Sequence, residues 1–336
     1  MATIRDVAKL AAVSVATVSR VLNNNGYVNK ETKEKVQQAI QLLQYEPNTM
    51  AKGLAGKKTE TLALVLPDIS NPFFSEVARA VEDVAQLYGY TVVLCNTDSD
   101  TDKEQTYIQV MKRRYVDGML FASNTLRAAD VLMLNKANIP LVVLDRAPAN
   151  VPCLVVRSKN NEGAKLAIRH LLDTGCRRIA HIYGPQETAT GKERLIGYEE
   201  AVRSFPWYSP TLMEPGQFSI QGGMAAAEKL MERHPDIDGI FAGNDLMALG
   251  ALKKLQQLGI PVPGRVSLIG FDGIELTRIT EPELSTIAQP IYEIGATATR
   301  LLIKKIEGVQ LENETYECEV ELMARGSTRG NAEAGR

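Results

Sequence analysis

The chain has 336 residues, 45% hydrophobic and 23% charged, the make-up of a folded globular protein of about two domains; disordered, collagen-like and low-complexity readings are excluded. No window approaches the roughly 18 uninterrupted apolar residues of a membrane span. Asp6 and Lys9 break the apolar N-terminus as no signal peptide would, and four scattered cysteines without a CxxC pair (Cys95, Cys153, Cys176, Cys318) point to a reducing, cytoplasmic setting. The net charge of −2 hides an asymmetry. Residues 1–58 carry nine Lys/Arg against four acids, which leaves 29 basic and 36 acidic residues for the remainder. A basic head on an acidic body is the polarity of a nucleic-acid-binding module joined to something else.

The head reads as short helices. Thr3-Ile4-Arg5-Asp6 fits a capping box, and Ile4, Val7, Ala8 and Leu10 follow at helical spacing. Ser14 caps a second helix over residues 15–22. Two short helices joined by a tight turn predict a helix-turn-helix, whose second helix lies in the DNA major groove. Val15, Ala16 and Thr17 fall in its first turn, with Ser19 and Arg20 one turn on. Arg20 can present a bidentate fork to guanine, and Val15, Ala16 and the Thr17 methyl suit thymine methyls. The Thr17 and Ser19 hydroxyls can reach phosphates or bases. Asn29 caps a third helix running through Gln44, and Pro47 stops it. Asn48 then caps a short amphipathic stretch weakened by Gly53 and Gly56, which is expected to fold only on binding.

The body alternates strand and helix. Apolar runs at 62–67, 91–95, 118–122 and 140–145 alternate with helical stretches at 73–88, 103–114 and 126–137. A second series follows: helix 161–174, strand 178–183, helices 192–204 and 220–233, strand 238–243, helix 245–258 and strand 266–272. A helix (291–307) and a strand (315–322) close the chain. This alternation predicts two doubly wound parallel-sheet lobes, with ligand held beyond the carboxyl ends of the strands. Asp145-Arg146, Glu193-Arg194, Asn244-Asp245, Asp272 and Gln289 fall near such ends, with Asn71, Phe73 and Phe74 after the first strand and Phe218 between elements. Carboxylates, guanidinium groups, amides and aromatic faces together suit a sugar, whose hydroxyls need donors and acceptors and whose ring faces need apolar cover. No GxGxxG, GxSxG or HExxH motif is present, and His170, His181 and His234 lack metal-ligand spacing, so the reading is of a non-enzyme without cofactor or metal.

Residues 2–22, ATIRDVAKLAAVSVATVSRVL, strongly resemble the opening of the lactose-repressor (LacI) family of bacterial transcription regulators. YEPNTMAKGLAGKK (45–58) resembles that family's hinge helix, and IGYEEAV, NDLMALGAL, VSLIGFDG and TIAQP resemble its effector domain. The resemblance implies an all-α helix-turn-helix head plus an α/β body of the periplasmic-binding-protein type, acting as a homodimer on pseudo-palindromic double-stranded operator DNA without membrane association. It implies DNA contacts from Thr3, Ser14, Val15, Ala16, Thr17, Ser19, Arg20 and Asn23, and from Asn48, Ala51, Leu54 and Ala55 of the hinge, Leu54 wedging into the minor groove. The body is also similar to the ribose-binding protein. That similarity implies sugar contacts from Asn71, Phe73, Phe74, Asp145, Arg146, Arg194, Phe218, Asn244, Asp272 and Gln289, with ribose favoured. The implied domains are the helix-turn-helix at 1–46, a hinge helix and linker at 47–59, an effector body at 60–328 and a mobile tail at 329–336. Within the body the first lobe would take 60–159 and 290–314, and the second 160–289 and 315–328. The alternatives are a carbon-catabolite-type regulator with a phosphorylated carrier-protein corepressor, or a sugar-binding module without regulatory role.

Overall fold

A computed structural model of the chain describes residues 2–22, 25–45, 59–113, 116–122, 125–145, 151–311 and 313–330. The chain divides into two compact units, Met1–Thr59 and Glu60–Arg336. The hinge-helix expectation at 47–58, with Asn48, Ala51, Leu54 and Ala55, lies outside the described residues, as do Asn23, Arg146 and the tail 331–336.

The first unit is built on α1 (Ile4–Leu10), α2 (Val15–Leu22) and α3 (Lys30–Leu42). The capping box closes α1: Asp6 Oδ2 accepts the Thr3 N–H at 2.8 Å and the Thr3 hydroxyl at 2.7 Å. Ser14 Oγ accepts the Thr17 N–H at 3.1 Å and so opens α2. Val7, Ala8 and Ala11 pack with Val18 and Val21 and with Val36 and Ala39. These side chains are small, which lets three short helices share one core and supplies the burial that short helices need.

The second unit holds two lobes. The first lobe runs β1 (Thr61–Leu66), α4 (Pro72–Leu87), β2 (Thr91–Asn96), α5 (Thr101–Arg113), β3 (Gly118–Phe121), α6 (Ala128–Lys136), β4 (Leu141–Leu144) and β5 (Leu154–Ser158). The chain then crosses to α7 (Asn160–Asp173), β6 (Ile179–Tyr183), α8 (Ala189–Val202), β7 (Met213–Pro215), α9 (Ile220–Arg233), β8 (Gly239–Ala242), α10 (Asp245–Gln257), β9 (Ser267–Asp272) and β10 (Ser285–Ala288). It returns through α11 (Ile291–Ile306) and β11 (Thr315–Cys318) to the first lobe and ends with β12 (Glu321–Met323) in the second. The sheet orders are β11-β5-β4-β3-β1-β2 and β12-β10-β9-β8-β6-β7, so the same winding is used twice. All pairings are parallel except β10 with β12. Strands covered on both faces are apolar throughout, as β3, β4 and β8 are, and β1 is so after Thr61.

The end of the chain differs from the sequence-based expectation. The strand expected at 315–322 is two strands: Thr315–Cys318 pairs with β5 in the first lobe, and Glu321–Met323 pairs with β10 in the second. The lobe boundary therefore lies between 318 and 321 rather than at 314, because the final crossing occurs inside what reads as one run. Arg329 is not part of a loose tail. Its Nη2 donates to the Arg265 carbonyl at 2.8 Å and its backbone N–H to Ser267 Oγ at 3.3 Å. Strands β5, β7 and β10 were not expected, since each is only 3–5 residues long and mixes polar with apolar positions.

His181 is wholly buried on β6, stacked on Phe241 (centroids 4.7 Å) and Tyr198 (4.9 Å). It lies 2.9 Å from the Phe241 carbonyl through Nδ1, so Nδ1–H donates to that oxygen. Burial pushes its pKa down to about 4. The unfolded chain, with a histidine pKa near 6.5, takes up a proton between these values and the folded chain does not. This group's contribution to stability is therefore lost as pH falls from about 6.5 towards 4. Urea unfolding of wild type and His181→Phe across that range should show the penalty of the variant shrinking as pH falls; a constant difference would contradict the buried neutral ring.

Candidate functional site

Helix α2 divides by face. Val18 and Val21 are buried, whereas Val15, Ala16 and Arg20 are exposed and Thr17 and Ser19 are half-buried. An apolar valine at 42% exposure, on a helix that also exposes Arg20, leaves a surface available for a partner. The Thr3 and Ser14 side chains are also exposed, while serving as caps. The residues expected to read DNA within 3–20 thus occupy the N-terminal part and one face of the two-helix motif.

In the second unit, a cavity of about 250 Å³ lies between the lobes at the carboxyl ends of both sheets. Asn71, Phe73, Phe74, Asp145, Arg194, Phe218, Asn244, Asp272 and Gln289 all line it. Every expected sugar contact within the described residues is therefore brought together; Arg146 lies outside them. Glu193 is directed elsewhere, 3.2 Å from Arg157 Nη1. Asp68, at the end of the first strand, joins the wall as well, whereas sequence reasoning missed Thr190, Ser99 and Gln217. Thr190 had a signal: it lies four residues before Arg194 on α8 and so shares its face.

Arg194 organises the second lobe's side. It is 3% exposed. Its Nε donates to Asn160 Oδ1 at 2.9 Å, and Nη1 donates to the Gly243 carbonyl at 2.7 Å and to Asp272 Oδ1 at 3.1 Å. The guanidinium lies 3.7 Å over the Phe271 ring. Asp272 Oδ1 also accepts Gln289 Nε2 at 2.8 Å. Burial raises the Asp272 carboxyl, and Arg194 opposes that shift. Gln289 Oε1 is buried without a partner among the described residues, an acceptor held beside the cavity.

Helix caps and cavity amides are the same residues. Asn71 Oδ1 accepts the Phe73 N–H at 3.1 Å, and Asn244 Oδ1 accepts the Met247 N–H at 2.9 Å. Capping uses each oxygen and fixes each amide at the cavity wall, where the Asn244 NH₂ also donates to the Phe218 carbonyl at 3.5 Å. Across the cleft, Thr190 Oγ1 donates to Asp145 Oδ2 at 2.9 Å, joining the lobes. Phe73 and Phe74 meet edge to face at 5.1 Å and 89°. Phe218 is seated against Gly184, where a Cβ would lie 2.2 Å from the ring; only glycine lets the backbone approach this closely. Asp145, Gln217, Phe218 and Asp272 all have positive φ (65°, 54°, 50° and 121°), a conformation rare outside glycine that marks functional sites.

Residues 3–48 match the model of bacterial regulatory proteins of the lacI family, and residues 59–325 match that of periplasmic binding proteins and the sugar-binding domain of the LacI family. The chain belongs to the LacI family. It is a DNA-binding transcriptional repressor with a sugar-binding domain. The chain is 47% identical over 331 residues, 98% of each chain, to the ribose operon repressor of Halalkalibacterium halodurans. It superposes on the lac repressor dimer bound to operator with a TM-score of 0.86 at 26% identity, covering 98% and 99% of the two chains. It superposes on a ribose-bound LacI-family regulator of Enterococcus faecium with a TM-score of 0.73 at 33% identity, covering 80% of this chain and 98% of that one.

Removing the Arg194 cation would leave Asp272 buried without its counter-charge. Arg194→Ala should therefore lower the unfolding free energy by about 3–5 kcal/mol. Urea unfolding followed by circular dichroism checks this, and a loss below about 1 kcal/mol, the scale of an exposed pair, would contradict the buried-pair account.

Proposed function

We propose that this repressor binds a pseudo-palindromic operator as a homodimer and that ribose, bound in the interlobe cavity, controls its affinity for DNA. The observation that carries the reading is the cavity wall: Asp68, Asp145 and Asp272 against Arg194, with Asn71, Asn244, Gln289 and Thr190 as further polar groups and Phe73, Phe74 and Phe218 as apolar faces. Among the described residues, three carboxylates against one guanidinium that is already paired disfavour an anionic ligand and favour a neutral one rich in hydroxyls. A volume of about 250 Å³ lies below the roughly 300–1,000 Å³ of drug-sized sites and suits a monosaccharide. The names of the Halalkalibacterium relative and the ribose-bound neighbour support ribose among such sugars.

The mechanism is linkage. If the sugar binds one arrangement of the lobes better than another, and operator likewise, each ligand changes the other's affinity by the same factor. Calorimetric titration with ribose, other pentoses and hexoses, with and without operator DNA, tests this. Ribose should bind tightest and should change operator affinity; a panel in which no pentose binds would overturn the assignment.

Two substitutions separate the sites. Arg20→Ala should weaken specific operator binding by about 1–3 kcal/mol through loss of a bidentate base contact, while sugar affinity stays unchanged. Asp145→Ala should cost a few kcal/mol of sugar affinity by leaving hydroxyls unpaired, with operator binding intact. Phe74→Ala should lose less, through ring contact alone. Gel shift and calorimetry on the three proteins check the pattern. Equal operator affinity for Arg20→Ala, or wild-type sugar affinity for Asp145→Ala, would move the respective site elsewhere.

A further inference from the structure

We propose that Asp245 is a positioning residue for the effector site, a reading that rests on the function proposed above: its carboxylate clamps the Gly273–Ile274 backbone, holds Asp272 toward the cavity and seats Ile274 in the core of the other lobe. Asp245 does not line the cavity, and its side chain is fully buried. Its Oδ2 accepts the backbone N–H groups of Gly273 at 2.7 Å and Ile274 at 2.9 Å, and its Oδ1 accepts the Thr286 hydroxyl at 2.7 Å. None of these donors belongs to its own helix, α10, which Asn244 already caps. The carboxylate therefore serves the exit of β9 and its neighbour β10.

That exit needs holding. Asp272 has φ 121° and Gly273 has φ 83°, two successive residues in a region of backbone space costly for the first and accessible to the second only as glycine. A Cβ at Gly273 would also meet Ala288 Cβ at 2.7 Å, and one at Gly270 would lie 2.2 Å from Asp245 Oδ1. Glycines on both sides of Asp272 thus make room for the clamp. Beyond it, Ile274 is 1% exposed and packs in one apolar cluster with Leu66, Val77, Leu144 and Ile294, residues of the first lobe. Leu246, adjacent to Asp245, packs against the same cluster and lines the cavity. One buried side chain therefore connects a ligand carboxylate, a wall residue and the apolar plug that enters the other lobe. A shift of the Asp272 backbone on sugar binding moves Ile274 against the first lobe through a packed, hydrogen-bonded path.

Burial and the nearby Asp272 charge raise the Asp245 carboxyl, so placing a second carboxylate here is costly. Asparagine fills the same space: its oxygen can accept the two backbone N–H groups, and its NH₂ can donate to the Thr286 oxygen. That distinguishes a clamp from a charge. Full-length wild type, Asp245→Asn and Asp245→Ala are compared by ribose calorimetry and by operator affinity with and without ribose. Asp245→Asn should keep a ribose Kd within about threefold of wild type, and Asp245→Ala should weaken it by about tenfold or more. Asp245→Ala should also shrink the change in operator affinity that ribose causes, while sugar-free operator affinity stays within about threefold. Wild-type ribose affinity in Asp245→Ala, or equal impairment in both variants, overturns the proposal. If circular dichroism shows Asp245→Ala unfolded, Thr286→Val, which keeps the shape and removes the hydroxyl donor, decides it: a several-fold loss supports the clamp and a wild-type Kd overturns it. A wild-type protein that binds no sugar of the panel refutes the effector reading itself and takes this inference with it.

Discussion

A single buried cation organises the second unit. Arg194 is removed from water and satisfied by an amide at the crossover to the second lobe (Asn160), a carbonyl at the end of β8 (Gly243) and a carboxylate at the end of β9 (Asp272). Each partner comes from a different element, so the guanidinium fixes where three chain segments meet. An unpaired buried charge costs several kcal/mol, and this makes the arrangement all-or-none. The cavity wall inherits that order: Asp272 then holds Gln289, and Gln289 leaves its oxygen as a buried acceptor.

The first lobe contributes a different kind of order. Asn71 is tied to the start of α4 by its own cap, and Phe73 and Phe74 follow on the first turn of that helix. Their rings are therefore placed by secondary structure rather than by a loop. Asp145 sits at positive φ just past β4 and is met across the cleft by Thr190. Strain at Asp145, Phe218 and Asp272 is tolerated because packing and hydrogen bonds around them over-determine the backbone. A site preorganised in this way loses less conformational entropy on binding than one assembled from mobile side chains.

The DNA-reading unit obeys simpler rules. Its core consists of valines and alanines, and its helix starts are closed by local hydroxyl and carboxylate caps. Such a unit gains stability from short-range features, and that leaves one face of α2 free of packing duty. The effector unit adds long-range ties to its local caps, with polar side chains held by partners dozens of residues away, as in Arg194 with Asp272. A regulator built from the two joins a locally specified reader to a globally specified sensor.

This difference also sets what the sequence alone determines. The capping box at Thr3, the Ser14 cap and the valine spacing identify the helix-turn-helix, because helix signals act within three or four residues. Alternating apolar runs identify two doubly wound lobes, and their strand ends mark where a ligand sits. Nine sugar-contact expectations meet in one cavity for that reason. Tertiary structure alone decides the rest. The run 315–322 reads as one strand, yet its halves pair in different sheets, since pairing depends on β5 and β10 and not on local pattern. Helix spacing puts Thr190 on the face of Arg194, but only the fold gives it Asp145, 45 residues away, as a partner. Glu193, adjacent to Arg194, leaves the wall because Arg157 of the other lobe claims it. Asp245 looks like a helix-start acid until the fold brings Gly273, Ile274 and Thr286 to its oxygens. Hydrogen-bond partners at long sequence separation leave no periodic trace, so only the folded chain reveals them.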